Sequence, residues 1–416
     1  WCQYISRGSD LLRQGKPVAD LLIYIGEGAP NSTFGRNDFK PAIPNTINFD
    51  NVNTDVLLNR IKPKDGAMIL PEGTQYSILV LKNVEKISLP TLKKIHALAK
   101  AGIPIYGEQP QMLAGYQNKD ADMEEFTTIA KELSQFISTD LDWQAVLSQN
   151  KLSPDLKITD RPEMPYAHRK TTQEDIYFFF NPDSIPQTFE VDFRVNNKIP
   201  EWWNPVDGSV TKLAQFSNED QITKTKIKLK ANESIFVVFR ETAGTAPTLL
   251  VKQSELVQDN LNFSLNDNNE IVANISQNGS YEVQLPQGKI WKLQPQDIPQ
   301  ANPIDGPWNL TFKNLDGSSD DYVFEELLDW KDHPNDKVKY FSGTATYQKT
   351  ITIPSGSLGD KIKAKLDLGG VNIVAQVSLN GQDLGVLWMP PFEIDISSAL
   401  KEGNNQLEIK VTNQWS

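Results

Sequence analysis

The sequence has few of the residues on which several common kinds of functional site depend. Its 416 residues include one cysteine, Cys2, and three histidines. A single cysteine excludes an internal disulfide and a metal site built from several cysteines. The histidines are scattered, and no serine or cysteine stands in a nucleophile motif that could use one of them. Neither a metal site nor a catalytic triad is therefore predicted.

Basic patches and long apolar runs are also missing. Lysine and arginine number 41 against 53 aspartates and glutamates, a formal net charge of -12, and the basic residues are spread evenly. Binding to a phosphate backbone requires concentrated positive charge, so no nucleic-acid partner is expected. No apolar run approaches the roughly 20 residues that cross a bilayer, so no membrane span is predicted.

The sequence does contain enough apolar material for several folded domains. Hydrophobic residues make up 39% of the chain and aromatic residues 9%, as in ordinary globular proteins, and the length predicts two to four domains of roughly 100–200 residues each. The chain begins at Trp1 within a helix-like pattern over residues 1–15 and ends directly after a strand-like segment, 406–412. We therefore expect a fragment of a longer polypeptide, whose lack of a signal peptide is uninformative about localisation.

Short apolar strands alternate with amphipathic helices in the first third of the chain. The patterns predict strands at 20–25, 76–81 and 103–106, and helices at 53–60, 88–101 and 123–136. The helix at 88–101 has the clearest boundaries, with Ser88 as N-cap and Gly102 at its end. This alternation predicts a doubly wound α/β domain with a parallel sheet over residues 17–150.

The sequence patterns of the remainder of the chain predict an all-β structure. Strands are predicted at 175–180, 188–194, 224–229 and 234–239, separated by turn-forming residues, so residues 151–242 are expected to form an antiparallel β-sandwich. Small and polar residues at 242–247 suggest a linker, and residues 248–300 a short β segment or linker region. A further β unit follows over 301–416, where Asn380 and Gly381 form the strongest hairpin signal.

Several phrases of the sequence resemble the large α-L-rhamnosidases of glycoside hydrolase family 106. They are residues 1–7 (WCQYISR), 11–15 (LLRQG), 76–81 (YSILVL), 168–169 (HR) with 175–178 (DIYF), 200–205 (PEWWNP), 340–347 (YFSGTATY), 366–369 (LDLG), 377–385 (VSLNGQDLG) and 388–391 (WMPP). The first two resemble the point where the last helix of a glycosidase barrel passes into a flavodoxin-like domain, a layout that family 42 glycosidases share. The last phrases are similar to the sugar-binding jelly roll of family 2 glycosidases.

The resemblance implies a domain order and a partner. Residues 1–16 would be the last helix of a (β/α)8 barrel that is otherwise missing, 17–150 a flavodoxin-like domain, and 301–416 a galactose-binding-like jelly roll. In such enzymes the paired carboxylates and the calcium-assisted sugar site lie in the barrel. No catalytic residue, metal ligand or cofactor is therefore assigned here; calcium would belong to the parent enzyme, a periplasmic or secreted bacterial protein. The expected partners are carbohydrate, such as a rhamnoside-containing polysaccharide, and the barrel itself.

Three residues are candidates for contact with substrate. Trp388 follows the hairpin and precedes two prolines, and its indole face could stack on a pyranose ring. Arg169 could hydrogen-bond to sugar hydroxyls or to a barrel carboxylate, and His168 adjoins it. The alternative for Trp388 is packing in the core or between domains, and for Arg169 it is pinning an interface between domains.

Two loops carry weaker signals. Residues 26–33 (GEGAPNST) follow the first strand, where doubly wound proteins hold phosphates, but they lack a GxGxxG pattern and Pro30 disfavours a helix start. The acidic loop 316–321 (DGSSDD) could ligate calcium, which takes oxygen ligands, or be a solvated turn.

Three functions remain open from the sequence. The chain is expected to be a non-catalytic accessory region of an α-L-rhamnosidase-like glycoside hydrolase that supports the barrel and helps to recognise glycans. The alternative is a stand-alone carbohydrate-binding or scaffold protein without hydrolase activity. A flavodoxin-like cofactor enzyme is the third hypothesis.

Overall fold

β-Strands dominate the protein, and helices are few. The computed structural model describes residues 1–29, 31–115, 120–243, 260–284, 290–314, 316–359 and 361–413. Within these ranges no helix has both the length and the apolar character needed to cross a membrane.

The chain begins with a helix and a two-residue strand. Helix α1 (Cys2–Arg13) is followed by β1 (Lys16–Pro17). Gly15 joins them with a φ of +53°, in the left-handed region that favours glycine. A Cβ atom at this position would lie 2.1 Å from the Lys170 carbonyl oxygen. The exit from α1 thus requires glycine for two independent reasons.

Residues 21–149 form an α/β unit. Its elements, in chain order, are β2 (Leu21–Tyr24), β3 (Phe49–Val52), α2 (Thr54–Asn59), β4 (Lys62–Lys64), β5 (Ala67–Ile69), β6 (Gln75–Tyr76), β7 (Ile78–Leu81), β8 (Lys86–Ile87), α3 (Leu89–Lys100), β9 (Ile105–Gly107), β10 (Met112–Leu113), α4 (Asp120–Leu133), β11 (Ile137–Ser138) and α5 (Trp143–Gln149). Five strands pair in parallel in the order β11-β9-β7-β2-β3. Strands β4, β5 and β6 form a small antiparallel sheet, and β8 pairs with β10.

The parallel sheet is covered on both faces. Strands β2 and β7 are buried along their whole length, which is why they read as continuous apolar runs rather than alternating ones. One apolar cluster includes Leu22, Leu79, Leu92 and Ile95, and a second includes Ile23, Val80 and Trp143. The predicted alternation of strands and helices is confirmed, but β3 and β11 were not foreseen because one contains Asp50 and Asn51 and the other has two residues.

Two antiparallel sheets follow the α/β unit. Their strands, with those of the next segment, are β12 (Leu156–Ile158), β13 (Tyr166–Lys170), β14 (Asp175–Phe180), β15 (Gln187–Phe193), β16 (Lys198–Trp203), β17 (Val210–Leu213), β18 (Phe216–Glu219), β19 (Ile222–Leu229), β20 (Ser234–Thr242), β21 (Leu261–Leu265), β22 (Ile271–Ile275), β23 (Tyr281–Gln284) and β24 (Ile290–Leu293). One sheet has the order β1-β13-β14-β20-β16-β17-β21-β22, and the other β12-β15-β19-β18. Aromatic and branched side chains such as Phe179, Phe193 and Phe239 form the core that they share.

The segment predicted as a short β region over 248–300 takes part in the larger sheet. Strand β21 pairs with β17, and β22 pairs with β21. Side chains from both parts, including Ile199, Phe216, Phe263 and Val283, form one apolar cluster. Strands β21 and β22 therefore extend the sandwich, whereas β23 and β24 pair with each other in a separate two-stranded sheet. The predicted linker at 242–247 lies mostly outside the described residues.

A separate β unit forms the C-terminal part. Its elements are β25 (Trp308–Lys313), β26 (Ser319–Phe324), α6 (Asp336–Lys339), β27 (Thr344–Ile353), β28 (Lys365–Asp367), β29 (Val374–Leu379), β30 (Gln382–Leu387), β31 (Glu393–Asp395) and β32 (Gly403–Thr412). Six strands form a sheet in the order β26-β25-β27-β32-β29-β30, and β28 pairs with β31. The predicted hairpin joins β29 to β30. Asn380 and Gly381 have φ values of +53° and +81°, as a type I′ turn requires.

We expect replacement of Gly15 by alanine to destabilise the chain. The left-handed conformation costs a residue with a Cβ about 1–3 kcal/mol, and the clash with the Lys170 carbonyl adds to this. Gly8→Ala is the matched control: Gly8 lies inside α1, its Cβ would meet nothing within 4 Å, and alanine should add up to about 1 kcal/mol of helix stability. Urea unfolding that moved both variants in the same direction would contradict this account of the helix exit.

Candidate functional site

His168 lies in a buried cluster of charged side chains between the two sheets of the sandwich. It stands on β13, and only 5% of its surface is exposed. Its Nδ1 donates to Asp155, 2.9 Å from Oδ1 and 3.1 Å from Oδ2, and its Nε2 lies 3.3 Å from Oδ1 of Asp175. The ring stacks on Tyr177, with 3.8 Å between centroids. Both ring nitrogens are therefore occupied by carboxylates.

Arg194 connects this cluster to the α/β unit. It follows β15, and its guanidinium lies 3.4 Å from Asp155 Oδ1 and 3.1 Å from Oδ1 of Asp20, the residue immediately before β2. It also donates to the carbonyl oxygen of Ser153 at 2.8 Å. Burial raises the pKa of Asp20, and the positive charge of Arg194 opposes that rise. Residues from two separate stretches of sequence thus meet on one cation from a third.

Asp175 is surrounded by cations on its other sides. Lys170 approaches its Oδ1 to 3.1 Å, and Lys198 approaches its Oδ2 to 3.3 Å. Burial opposes ionisation, but the hydrogen bond from His168 and the charge of Lys170 outweigh it and lower the pKa of Asp175 to about 2. Burial likewise disfavours a charged His168, and Asp155 and Asp175 together outweigh it and raise the pKa of the imidazole. The cluster is a network of compensating charges.

This environment does not suit the predicted role of His168 in substrate contact. A sugar hydroxyl would have to enter the interior and displace a carboxylate from one of the ring nitrogens, which would leave a buried charge without its partner. His168 was a candidate from the sequence, but neither strand β13, on which it stands, nor its contact with Asp155 was predicted. Asp20 and Arg194 are 174 residues apart in sequence, and the packing of the α/β unit on the sandwich brings them together.

Arg169 points away from the buried cluster, as expected for the neighbour of His168 on a strand. Its Nε donates to the carbonyl oxygen of Gln14, and its Nη2 to that of Gly15, both at 2.9 Å. These carbonyls lie at the C-terminal end of α1, where backbone acceptors lack helical partners. The geometry corresponds to the interface-pinning alternative for Arg169.

Trp388 packs against the other end of α1. Its ring meets Trp1 and Tyr4 edge to face, with 5.3 Å between centroids in each case, and the residue is half-buried. The Tyr4 hydroxyl lies 2.9 Å from Ser234 Oγ at the start of β20. Trp388 therefore joins the C-terminal β unit to α1, which corresponds to the packing alternative, and Tyr4 in turn contacts the sandwich.

A cleft of about 250 Å³ lies along the C-terminal half of α1 and its C-cap residue Gln14. Arg7, Asp10 and Gln14 line it from the helix, and Trp203 and Asn204 from the end of β16. The spacing of the helix residues, three and four apart, places them on one face. The sequence spacing therefore predicts that these residues share a face, but nothing in the sequence indicates that Trp203 faces them across the cleft.

The loop 26–33 makes structural hydrogen bonds to the start of α3. Glu27 accepts hydrogen bonds from Ser88 N–H at 2.6 Å and Ser88 Oγ at 2.7 Å, and from the Thr91 hydroxyl. A carboxylate thus lies at the N-terminal end of α3, the kind of position where doubly wound proteins bind a phosphate. Pro30 lies outside the described residues.

The aspartates of the acidic loop 316–321 accept hydrogen bonds from nearby side chains and backbone groups. Asp316 accepts from Ser318, and Asp320 from Asn314 and Lys337. Over the described ranges, no group of three or more His, Cys, Asp or Glu side chains is arranged to hold a metal ion.

Comparison with known proteins identifies two family models in the chain. The model described as alpha-L-rhamnosidase, glycoside hydrolase family 106, matches residues 1–218. The model described as a glycosyl hydrolase 2 galactose-binding domain-like unit matches residues 323–416. Both resemblances inferred from the sequence are thereby confirmed, and the C-terminal β unit is galactose-binding-like.

Two individual relatives cover nearly the whole chain. A putative beta-glucuronidase of Formosa agariphila is 24% identical over 99% of this chain, which spans 51% of that protein. A rhamnosidase structure from Novosphingobium sp. PP1Y superposes over 100% of this chain with a TM-score of 0.80 and 25% identity, and 36% of that rhamnosidase chain is covered. This chain therefore spans about half of the curated relative and about a third of the rhamnosidase.

Replacing His168 with asparagine should destabilise the protein by about 3 kcal/mol, because buried carboxylates lose a charged partner. The remaining cations Lys170, Lys198 and Arg194 keep the loss at the lower end of the range for a broken buried ion pair. The matched control is His333→Asn, at a partly exposed loop residue that stacks on Phe324, where less than about 1 kcal/mol is expected. Equal urea midpoints for the two variants would refute the charge network.

The stabilisation by His168 should fall as the pH rises. Since the folded protein raises the pKa of this imidazole above its ordinary value of 6.5, its contribution is complete below 6.5 and is lost as the pH passes the folded-state pKa. The difference in unfolding free energy between the wild type and His168→Asn should therefore be larger at about pH 6 than at about pH 9. A difference that stays constant or grows over this interval would show that the imidazole is neutral in the folded chain.

Proposed function

The chain belongs to glycoside hydrolase family 106, the α-L-rhamnosidase family, and we propose that it acts as an accessory region of such an enzyme. In this role it does not cleave glycosidic bonds by itself. It supports the catalytic part of a periplasmic or secreted glycosidase and contributes to the recognition of carbohydrate. Calcium, where the parent enzyme uses it, belongs to the catalytic part.

The observation that carries the proposal is the extent of the structural match. All of this chain superposes on a rhamnosidase, yet it accounts for 36% of that rhamnosidase. Hydrolysis of a glycoside requires two carboxyl groups facing each other across the scissile bond. The most deeply buried carboxylates here have another use: Asp155 and Asp175 bind His168, and Glu201 binds Arg240.

The architecture supports a scaffolding role for the α/β unit. We propose that this unit is flavodoxin-like, because its strands, counted along the chain, lie in the order 2-1-3-4-5 that flavodoxin-like sheets have. Glu27 takes the hydrogen bonds at the N-terminus of α3 that a phosphate would need. A carboxylate there favours a structural use of the fold over nucleotide or flavin binding.

A stand-alone carbohydrate-binding protein is the second candidate. The match of residues 323–416 to a galactose-binding domain-like model favours it. The two candidates differ in what the galactose-binding-like unit contacts. Because Trp388 packs on Trp1 and Tyr4, this unit is joined to α1 rather than free, and that contact favours the accessory role.

The accessory role predicts no turnover of 4-nitrophenyl α-L-rhamnopyranoside by residues 1–416. The measurement is the release of 4-nitrophenol over that of buffer, with a commercial α-L-rhamnosidase as a positive control for the assay. Release that rises in proportion to the concentration of the chain, and that survives repurification, would overturn the proposal, since the chain would then hold its own pair of catalytic carboxyl groups.

A further inference from the structure

The indole of Trp203 is held in a fixed orientation at one wall of the cleft beside α1. Its Nε1 donates to Oε2 of the fully buried Glu201 at 2.9 Å. Arg240 also binds Glu201 through Nε, 2.9 Å from the same oxygen, and its guanidinium lies 5.0 Å from the centroid of the Trp203 ring. An aromatic ring locked in this way loses little freedom when a ligand stacks on it.

Polar groups with unused hydrogen-bonding capacity form the opposite wall. Arg7 donates through Nη1 to the carbonyl oxygens of Pro205 and Val206, at 3.0 and 2.7 Å. Its Nε and Nη2 donate to no residue in the described part of the chain. Asp10 receives one long contact, 3.4 Å from Gln14 Nε2 to its Oδ2, so its other oxygen is available as an acceptor. The wall therefore presents donors and an acceptor side by side.

The loop that closes the cleft is also held in place. The hairpin between β16 and β17 is tied to α1 by Arg7, and the Arg7 guanidinium lies directly over Gly208, where a Cβ would be 2.9 Å from Arg7 Nε. Asn204 accepts from Val206 N–H at 2.9 Å and donates to Asp207 at 3.1 Å. The cleft thus has a preformed shape rather than one created by mobile side chains.

We propose that this cleft is a binding site for a single pyranose ring. The indole of Trp203 offers an apolar face to the ring, Asp10 accepts from a sugar hydroxyl, and Arg7 and Gln14 donate to neighbouring hydroxyl oxygens. This combination of one aromatic platform and a few convergent polar groups suits a small neutral polyol. A volume of about 250 Å³ is just below the range for drug-sized ligands, which limits the occupant to about one ring.

The site is separate from the galactose-binding-like unit. It lies between α1 and β16, whereas Trp388 contacts the first turn of α1 through Trp1 and Tyr4. The choice of a sugar as ligand class rests on the proposed function, but the geometry of the cleft does not. It gives the accessory region a carbohydrate contact of its own, outside residues 323–416.

Binding of methyl α-L-rhamnopyranoside to residues 1–416 tests the proposal. Saturation-transfer NMR should detect the ring protons of the probe, and a titration should give an affinity for the wild type. Trp203→Ala should weaken that affinity at least about tenfold, because the stacking surface is lost, and Trp203→Phe should retain most of it. Tyr340→Ala, which removes an exposed aromatic side chain of the C-terminal β unit, is the control and should bind like the wild type.

A second variant distinguishes a direct loss of binding from a loss of the fold. Asp10 is exposed on α1, so Asp10→Asn should leave urea unfolding unchanged while it weakens binding by removing a charged acceptor. The proposal fails if the wild type does not bind, if neither Trp203→Ala nor Asp10→Asn weakens binding, or if Tyr340→Ala weakens it as much as Trp203→Ala does. Hydrolysis of the nitrophenyl glycoside would overturn the accessory role without affecting the cleft, and absence of binding would overturn the cleft without affecting the accessory role.

Discussion

A buried carboxylate requires a cation nearby, and this requirement determines how the first two units of the protein meet. Asp155 and Asp175 are almost inaccessible to solvent, and an ionised group in such a position costs several kcal/mol unless it is paired. His168 lies between them, and Arg194 extends the pairing to Asp20 at the start of the parallel sheet. Asp20 and Arg194 belong to different units, so their ion pair forms only when the two units are correctly placed, and it favours one relative position.

Helix α1 depends on the same assembly. A 12-residue helix is marginally stable in water by itself, and α1 buries only Leu11 fully. It is stabilised from three directions: Leu11 packs on Ile176 and Phe236 of the larger sheet, Arg169 binds the carbonyls at its end, and Trp388 packs on its first turn. Through these contacts α1 joins the sandwich to the galactose-binding-like unit, and one of its faces also lines the cleft at Trp203.

Several acidic side chains of this protein are engaged in structural hydrogen bonds and ion pairs. Glu201 fixes the orientation of Trp203, Glu27 takes the hydrogen bonds at the start of α3, and Asp20 joins two units through Arg194. A carboxylate with two or three committed donors cannot act as a nucleophile or as a proton donor without breaking a buried pair. This use of the acidic residues supports the accessory role that we propose.

The sequence by itself determined the family, the order of an α/β part and two β parts, and most of the buried strands and helices. Those features depend on local patterns: continuous apolar runs at 78–81, the helical stripe of Leu92 and Ile95, and the turn residues Asn380 and Gly381. The partners of Arg194 and the wall opposite Trp203 were decided by the tertiary structure alone. They come from segments more than 100 residues apart in some cases, such as Asp20 with Arg194, and no local periodicity records which distant charges will share a desolvated space.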